Sequence, residues 1–236
     1  MIKNISTEGI VLNELRYKEK SKIVRIFTKE LGKVTIMARG ALSAKSPLVS
    51  VTQMFGLNQY DLIKGKSFYY IDSAHVIDSN FNMRTDYDRL IMASYLLELV
   101  DKSFLDNEPN EKVFELFKKT IKILSESTED IFKIVLAFEL KYISFLGYRP
   151  TFDGEFQNPV FSVKDGGIVE KPSFYKEMCY SVKSEDIYYF KELLYTSLDK
   201  VTVDIDEKRL LYLQEIVLEY IKYNLEIREF NSLSLI

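Results

Sequence analysis

The sequence contains few of the residues on which most catalytic and metal-binding sites depend. Its 236 residues include one cysteine, one histidine and no tryptophan. The single cysteine, Cys179, excludes an internal disulfide and a thiolate metal cluster. A zinc site or a catalytic triad that requires histidine would depend on His75 alone, and a surface or cross-strand position is the more ordinary role for such a residue.

Several segments that assign a function are also missing from the sequence. It has no glycine-rich phosphate loop of the Walker or GxGxxG type. No uncharged apolar run approaches the roughly 18 to 20 residues that a spanning helix needs, and residues 1–6 lack the apolar run of a signal peptide. These absences predict a cytoplasmic protein with no membrane partner, and they indicate no enzyme class.

The chain does have an uneven distribution of charge. Residues 1–80 carry a net charge of +5 and residues 81–236 a net charge of −8, within a total of −3. Positive charge concentrated at one end offers a binding surface to a polyanion such as nucleic acid. Eight of the twelve basic side chains of this part are the candidate nucleic-acid-binding residues: Arg16, Lys18, Lys20, Lys22, Arg25, Lys33, Arg39 and Lys45. The ordinary alternative is a solvated charged face, diluted by Glu14, Glu19 and Glu30.

Apolar residues in the first third of the chain occur in short runs separated by turn residues, as in β-strands. The runs lie at residues 9–12, 22–28, 33–39, 54–63 and 67–77. Glu30-Leu31-Gly32 joins the second and third runs as a hairpin with glycine at the tight position. Five strands in about 75 residues predict a small barrel, for which the OB-fold is the commonest architecture and an SH3-like barrel the alternative.

Aromatic side chains of the same region are candidates for stacking on bases. They are Tyr17, Phe27 and the run Phe68-Tyr69-Tyr70. In a strand, Phe68 and Tyr70 face one side and Tyr69 the other, and one side must be core. Burial is therefore the more ordinary role for each ring taken singly.

From about residue 85 the apolar period becomes that of a helix. The spacing predicts helices near residues 90–100, 113–124 and 129–146, a fourth from residue 184, and a fifth over 207–229, which should pack as a bundle. Glu98 and Asp101 lie three residues apart on the first predicted helix. Paired carboxylates can hold the metal ion of a nuclease, but a solvent-exposed helix face is the better explanation for these two. Residues 147–176 hold much of the glycine and proline and show no apolar periodicity. A loop of this length inside a compact domain needs a stabilising element, which in many proteins is a metal ion.

The order of several segments matches that of a known family. The match begins with TEGIVL at residues 7–12 and continues with RYKE at 16–19 and IFTKELG at 26–32. It extends to LIMASYLLELVD at 90–101 and FELKYISFLGYRP at 138–150. Together these segments resemble the RecO family of bacterial recombination and repair mediators.

The resemblance implies an α+β chain. An OB-fold over residues 1–80 would bind DNA, and an all-α bundle over 81–236 would contain a loop-rich, zinc-knuckle-like insertion at about 147–180. The implied function is a non-enzymatic mediator of the RecF pathway. It would bind single- and double-stranded DNA, anneal complementary strands and help load RecA onto DNA coated with single-strand-binding protein. RecR is the implied partner, RecF, RecA and single-strand-binding protein are further candidates, and the implied location is the cytoplasm at the nucleoid. The alternative is an OB-fold adaptor that binds proteins and not DNA.

The chain departs from the family pattern in the insertion. Many members have two CxxC pairs there, and the corresponding positions in this chain are Glu155, Asn158, Glu170 and Ser173. Because none of these is a thiolate, the sequence predicts no tetrahedral zinc site and no cofactor. Apolar packing is expected to hold the segment instead, through the side chains of Phe152, Phe156, Phe161 and Phe174.

Overall fold

The computed structural model describes residues 4–126, 130–171 and 177–235. Its first part is a closed five-stranded barrel with the strand order β1-β2-β3-β5-β4. The strands are β1 (Asn4–Tyr17), β2 (Ser21–Thr28), β3 (Gly32–Ala38), β4 (Leu57–Lys64) and β5 (Tyr69–Asp78). Neighbouring strands are antiparallel except β3 and β5, which meet in parallel. The predicted OB-fold barrel is confirmed.

The barrel interior follows from the alternation of apolar side chains along the strands. In β2, Val24 and Ile26 point inward and are buried with the core residues of the other strands. The short helix α1 (Leu48–Val51) packs onto this core, because the hydroxyl of fully buried Tyr60 donates to the carbonyl oxygen of Val51 at 2.6 Å. At the β2–β3 turn Gly32 has a φ of +68°, as the hairpin prediction requires.

The outer face of the barrel packs against helices of the same compact unit, which comprises Met1–Ser127 and Phe230–Ile236. These are α2 (Tyr87–Ser103) and α3 (Glu111–Glu126), preceded by a 3₁₀ turn, Phe81–Arg84. The ring of Phe27 lies 4.8 Å from that of Phe104 and 6.1 Å from that of Phe114. The predicted domain boundary at residue 80 stays a prediction.

The second compact unit, Thr128–Glu229, contains three helices and a small sheet. The helices are α4 (Ile131–Phe145), α5 (Ser184–Tyr195) and α6 (Glu207–Asn224). The strands are β6 (Pro159–Ser162), β7 (Gly167–Glu170) and β8 (Cys179–Ser181), in the order β7-β6-β8. The last helix ends five residues before its expected end. Glu226 adopts a left-handed φ of 53°, and the amide of Ile227 donates back to the carbonyl of Lys222 at 3.0 Å.

Aromatic packing supports the sheet of the second unit. The rings of Phe152 and Phe190 stack at 5.2 Å, and Phe161 meets Tyr220 edge-on at 5.5 Å. The expected packing is therefore confirmed for Phe152 and Phe161, both buried. Phe156 is half-buried, and Phe174, like Ser173, lies outside the described residues. Among the described helices, none combines the length and the apolar character needed to cross a membrane.

Candidate nucleic-acid interface

The tip of the β1–β2 hairpin presents basic side chains to solvent. In the register of the two strands Arg16 lies opposite Lys22 and Tyr17 opposite Ser21, so residues 18–20 form the turn. Lys18 takes a left-handed φ of 55° in this turn. Arg16, Lys18 and Lys20 are all exposed. The tight turn thus gathers three cations at one point of the barrel rim.

The loop after β3 adds two further cations beside the hairpin. Lys22 lies opposite Ala38, so Arg39 leaves the sheet next to the start of β2. The amide of Leu42 donates to the carbonyl of Lys20 at 3.1 Å, which fixes the loop against the turn. Arg39 and Lys45 are exposed on this loop. Within the described part of the chain, no ion pair involves Arg39, Lys45 or the three cations of the turn.

The other three predicted residues have carboxylate partners. Lys22 pairs with Glu14 across the hairpin. The Arg25 guanidinium lies 2.9 Å from one oxygen of Asp101, and the Lys33 ammonium lies 3.7 Å from the other and donates to the Asp101 carbonyl. The side chains of Lys22 and Lys33 are only 12% and 11% exposed. The structure thus separates these cations from the hairpin-and-loop group, hereafter the basic rim: Arg16, Lys18, Lys20, Arg39 and Lys45. The role of all eight residues in DNA binding stays a prediction.

The candidate stacking rings divide in the same way. Arg39 lies over the half-buried ring of Tyr70 at 5.2 Å, and Lys18 lies over Tyr17, which is 38% exposed, at 5.4 Å. Tyr69 is buried and its hydroxyl donates to Asn107 at 2.8 Å. Phe27 is fully buried against Phe104 and Phe114, so its ring belongs to the core. Tyr17 and Tyr70 thus remain as rings at the basic rim.

The paired carboxylates of α2 serve the fold. Glu98 accepts hydrogen bonds from the amides of Asn231 and Ser232 at 3.0 and 2.9 Å and from the Ser232 hydroxyl at 2.7 Å, and Lys102 pairs with it at 2.8 Å. Burial raises the pKa of Glu98, but the hydrogen bonds from Lys102, Ser232 and Asn231 together outweigh burial and lower the pKa to about 2. Asp101 forms ion pairs with Arg25 and Lys33, so both carboxylates contribute contacts to the fold.

His75 and Cys179 do not join a reactive cluster. His75 is exposed and lies opposite Gln59 in the β4–β5 register, which confirms the surface, cross-strand role. Cys179 is a free, partly buried thiol in β8. Among the described residues there is no group of three or more His, Cys, Asp or Glu side chains that could hold a metal ion.

The described positions that correspond to zinc ligands in the family do not fit zinc. The two carboxylate oxygens of Glu170 accept the amides of Gln157 and Asn158 at 2.8 and 2.9 Å, so this side chain already binds the facing loop. Glu155 is exposed, and Asn158 carries only a neutral amide. Structural zinc requires thiolates or imidazoles, which these positions lack. The absence of zinc stays a prediction, which metal analysis of the purified protein tests.

Comparison with known proteins places the chain in a family. The family model "Recombination protein O N terminal" matches residues 1–80, and "Recombination protein O C terminal" matches residues 84–234. This chain belongs to the RecO family. A protein called "DNA repair protein RecO" from a Thermoanaerobacter species is 31% identical over 240 residues, covering 97% of this chain and 95% of that one. The family assigns the chain a role in DNA repair.

Other RecO relatives match over shorter lengths. The protein of the same description from Acetivibrio thermocellus is 35% identical over 146 residues, which cover 62% of this chain and 58% of that one. The relative from Alkaliphilus metalliredigens is 33% identical over 172 residues, or 70% of each chain. The resemblance identified from the sequence is confirmed.

One feature of the first unit has no signal in the sequence. A groove of about 770 Å³ lies between the β1–β2 side of the barrel and the start of α2. Phe81 and Tyr87 line it and are each 63% exposed. Both rings lie where the strand pattern of the sequence gives way to the helix pattern. The spacing of apolar residues therefore does not show whether these two side chains face the core or the solvent.

Proposed function

We propose that this chain is a non-enzymatic recombination mediator that binds single- and double-stranded DNA through the basic rim. It anneals complementary strands and, with RecR, helps load RecA onto DNA covered by single-strand-binding protein, in the cytoplasm at the nucleoid. The observation that carries the proposal is the contact between the loop and the hairpin turn, the Leu42–Lys20 hydrogen bond, which groups five exposed cations.

The chemistry of the basic rim suits binding that does not depend on sequence. Lysine and arginine that neutralise phosphates release condensed counterions and gain affinity without contacting base edges. Annealing requires two strands of like charge to approach, and cations between them reduce their repulsion. Exposed side chains on a turn and a loop can contact both strands without a fixed register.

Charge reversal at the turn tests the proposal. The variant R16E/K18E/K20E should bind labelled single strands much more weakly, and the slope of log affinity against log salt should become shallower by about 2, since about three phosphate contacts are lost. Its annealing rate should fall in parallel, whereas its association with RecR should persist. Arg16, Lys18 and Lys20 suit this test because they are exposed, whereas reversal of Lys22 or Arg25 would also break an ion pair.

The matched control reverses three exposed lysines of the second unit, Lys171, Lys200 and Lys208. This K171E/K200E/K208E variant changes net charge by the same amount and should keep DNA affinity close to that of the wild type. An equal loss in both variants would mean that total charge, not the basic rim, governs binding.

The adaptor alternative is favoured by one observation. Three of the eight predicted cations, Lys22, Arg25 and Lys33, are already neutralised by carboxylates, which weakens the positive field of the barrel. If the wild type binds RecR but fails to bind either form of DNA at low salt, the chain is an adaptor and the DNA-binding proposal is wrong.

A further inference from the structure

The groove of about 770 Å³ has a size typical of a ligand site. Met54 and Phe55 line it from the segment before β4, and Phe81, Tyr87 and Leu90 line it from the 3₁₀ turn and α2. All of these residues belong to the first compact unit. The lining is therefore mainly apolar and aromatic, as base-stacking surfaces are.

The turn that carries Phe81 is firmly anchored. Met83 is fully buried beneath it. The Asn80 amide nitrogen donates to the carbonyl of Phe55 at 2.9 Å, and the Arg84 guanidinium donates to the carbonyl of Met54 at 2.6 Å. Arg84 also lies over the Phe55 ring at 5.3 Å. These bonds hold the Phe81 ring at the mouth of the groove, where it is 63% exposed and adds little to the core.

The groove connects to the basic rim. Glu14 and Lys22 line its edge, and the same two residues line a smaller adjoining pocket with Leu15, Arg16 and Leu42. A chain that follows the cations of the hairpin thus reaches the aromatic wall directly. Asp86 and Asp88 flank Tyr87 in sequence, whereas Arg16 lines the adjoining pocket, so phosphates are favoured near the hairpin.

We infer that the groove receives unpaired bases of single-stranded DNA, which stack on Phe81 and Tyr87 while the phosphates follow Arg16 and its neighbours. The inference rests on the proposed function and deepens it. Charge complementarity selects this occupant: beyond the Glu14–Lys22 ion pair, the adjoining pocket holds the exposed cation Arg16, and the wall of the groove is aromatic. Bases within a duplex are already stacked and paired, so double-stranded DNA gains nothing from the wall.

The test compares three probes with the variant F81A/Y87A: an oligothymidylate, an abasic chain of the same length, and a duplex. Affinity for oligothymidylate should fall by about 30-fold or more, since each of the two stacked bases contributes at least about 1 kcal/mol. Affinity for the abasic chain and the duplex should be unchanged. Both side chains are largely exposed, so the thermal unfolding of the variant should match that of the wild type.

Two control variants make the comparison specific. F81Y/Y87F retains both rings and should bind oligothymidylate like the wild type. Y188A removes a tyrosine that is 56% exposed in the second unit and should have no effect. In addition, ultraviolet cross-linking of an oligonucleotide that carries 5-iodouracil should attach it to the peptide that contains Phe81 or Tyr87.

Three outcomes would overturn the inference, each in a distinct way. If F81A/Y87A binds all probes normally while R16E/K18E/K20E does not, the proposed function stands and the groove is not a base site. If the variant loses only affinity for a labelled acidic peptide with aromatic residues, the groove is a protein-docking site. If the wild type binds no DNA at low salt, both the proposed function and this inference are wrong.

Discussion

The Glu98 carboxylate on α2 has a structural role, because both of its oxygens accept hydrogen bonds from other parts of the fold. Its two oxygens accept from two backbone amides and one hydroxyl at the start of the C-terminal 3₁₀ turn, Ser232–Leu235. The adjacent ring of Phe230 packs edge-on against Tyr95 at 4.9 Å. The carboxylate thus fastens the end of the chain to α2, which a nuclease ligand would not be free to do.

The lowered pKa of Glu98 makes this attachment sensitive to acid. Its pKa is about 2 in the folded protein, against an ordinary value of 4.5. The stabilisation is therefore complete above about pH 4.5 and is lost as the pH falls toward about 2. E98Q should lower the free energy of unfolding at neutral pH by about 1–3 kcal/mol, and its difference from the wild type should shrink below pH 4.5.

Urea unfolding followed by circular dichroism measures this effect at several pH values, since the chain has no tryptophan. E19Q, at an exposed position of the hairpin turn, is the control and should behave like the wild type. A constant difference between E98Q and the wild type from pH 7 to pH 3 would contradict the assignment.

At this scale the sequence identifies the cations but not their partners. Lys33 lies 68 residues before Asp101, the residue whose carbonyl and carboxylate hold it, and nothing local to either residue reveals the contact. The exposed cations of the turn were predictable, because a tight hairpin turn faces solvent. Only the tertiary structure shows which of the predicted cations form ion pairs and which do not.

Single elements were predictable where their apolar period is long enough to read. In β2, every second residue around Val24 and Ile26 points inward. The helices α2 to α4 each run for four turns or more, which is long enough for a helical period to be recognised. The strands β6 and β7 have four residues each and β8 has three, too few for a period. Their pairing depends on contacts between residues that are distant in sequence.

Glu170 supplies one such contact in the second unit, at the end of β7. Its carboxylate accepts the amides of Gln157 and Asn158, just before β6, and so closes the end of the β6–β7 hairpin. E170A should free these two amides and raise their hydrogen-exchange rates about fivefold, which corresponds to about 1 kcal/mol of local stability at an exposed site.

Hydrogen exchange with mass spectrometry can measure this change on the peptide that covers residues 157–158. E155A removes a nearby exposed carboxylate and serves as the control, with unchanged exchange expected. Equal protection in E170A and the wild type would show that strand pairing alone holds the hairpin.

At the scale of the whole molecule, the cations of the barrel differ according to what they face. On the side of α2 and α3, Arg25 and Lys33 meet Asp101, and Lys29 lies 3.0 and 3.1 Å from Glu111 and Glu115. Acidic side chains of these two helices thus neutralise the cations that face them. Among the described residues of the barrel, seven cations have no ion pair, and five of these form the basic rim, the other two being Lys64 and Lys66.

This sorting predicts how DNA affinity responds to salt. If the five cations of the basic rim each neutralise one phosphate, log affinity for single strands should fall against log salt with a slope of about −3.5. If instead all eight predicted cations took part, the slope would be about −5.6. Fluorescence anisotropy with an oligothymidylate across a salt series distinguishes the two values. The steeper slope would mean that DNA displaces Glu14 and Asp101 from their partners, and a flat response would mean that phosphates do not contribute at all. Because ion pairs within a folded protein are already organised, we expect the shallower slope.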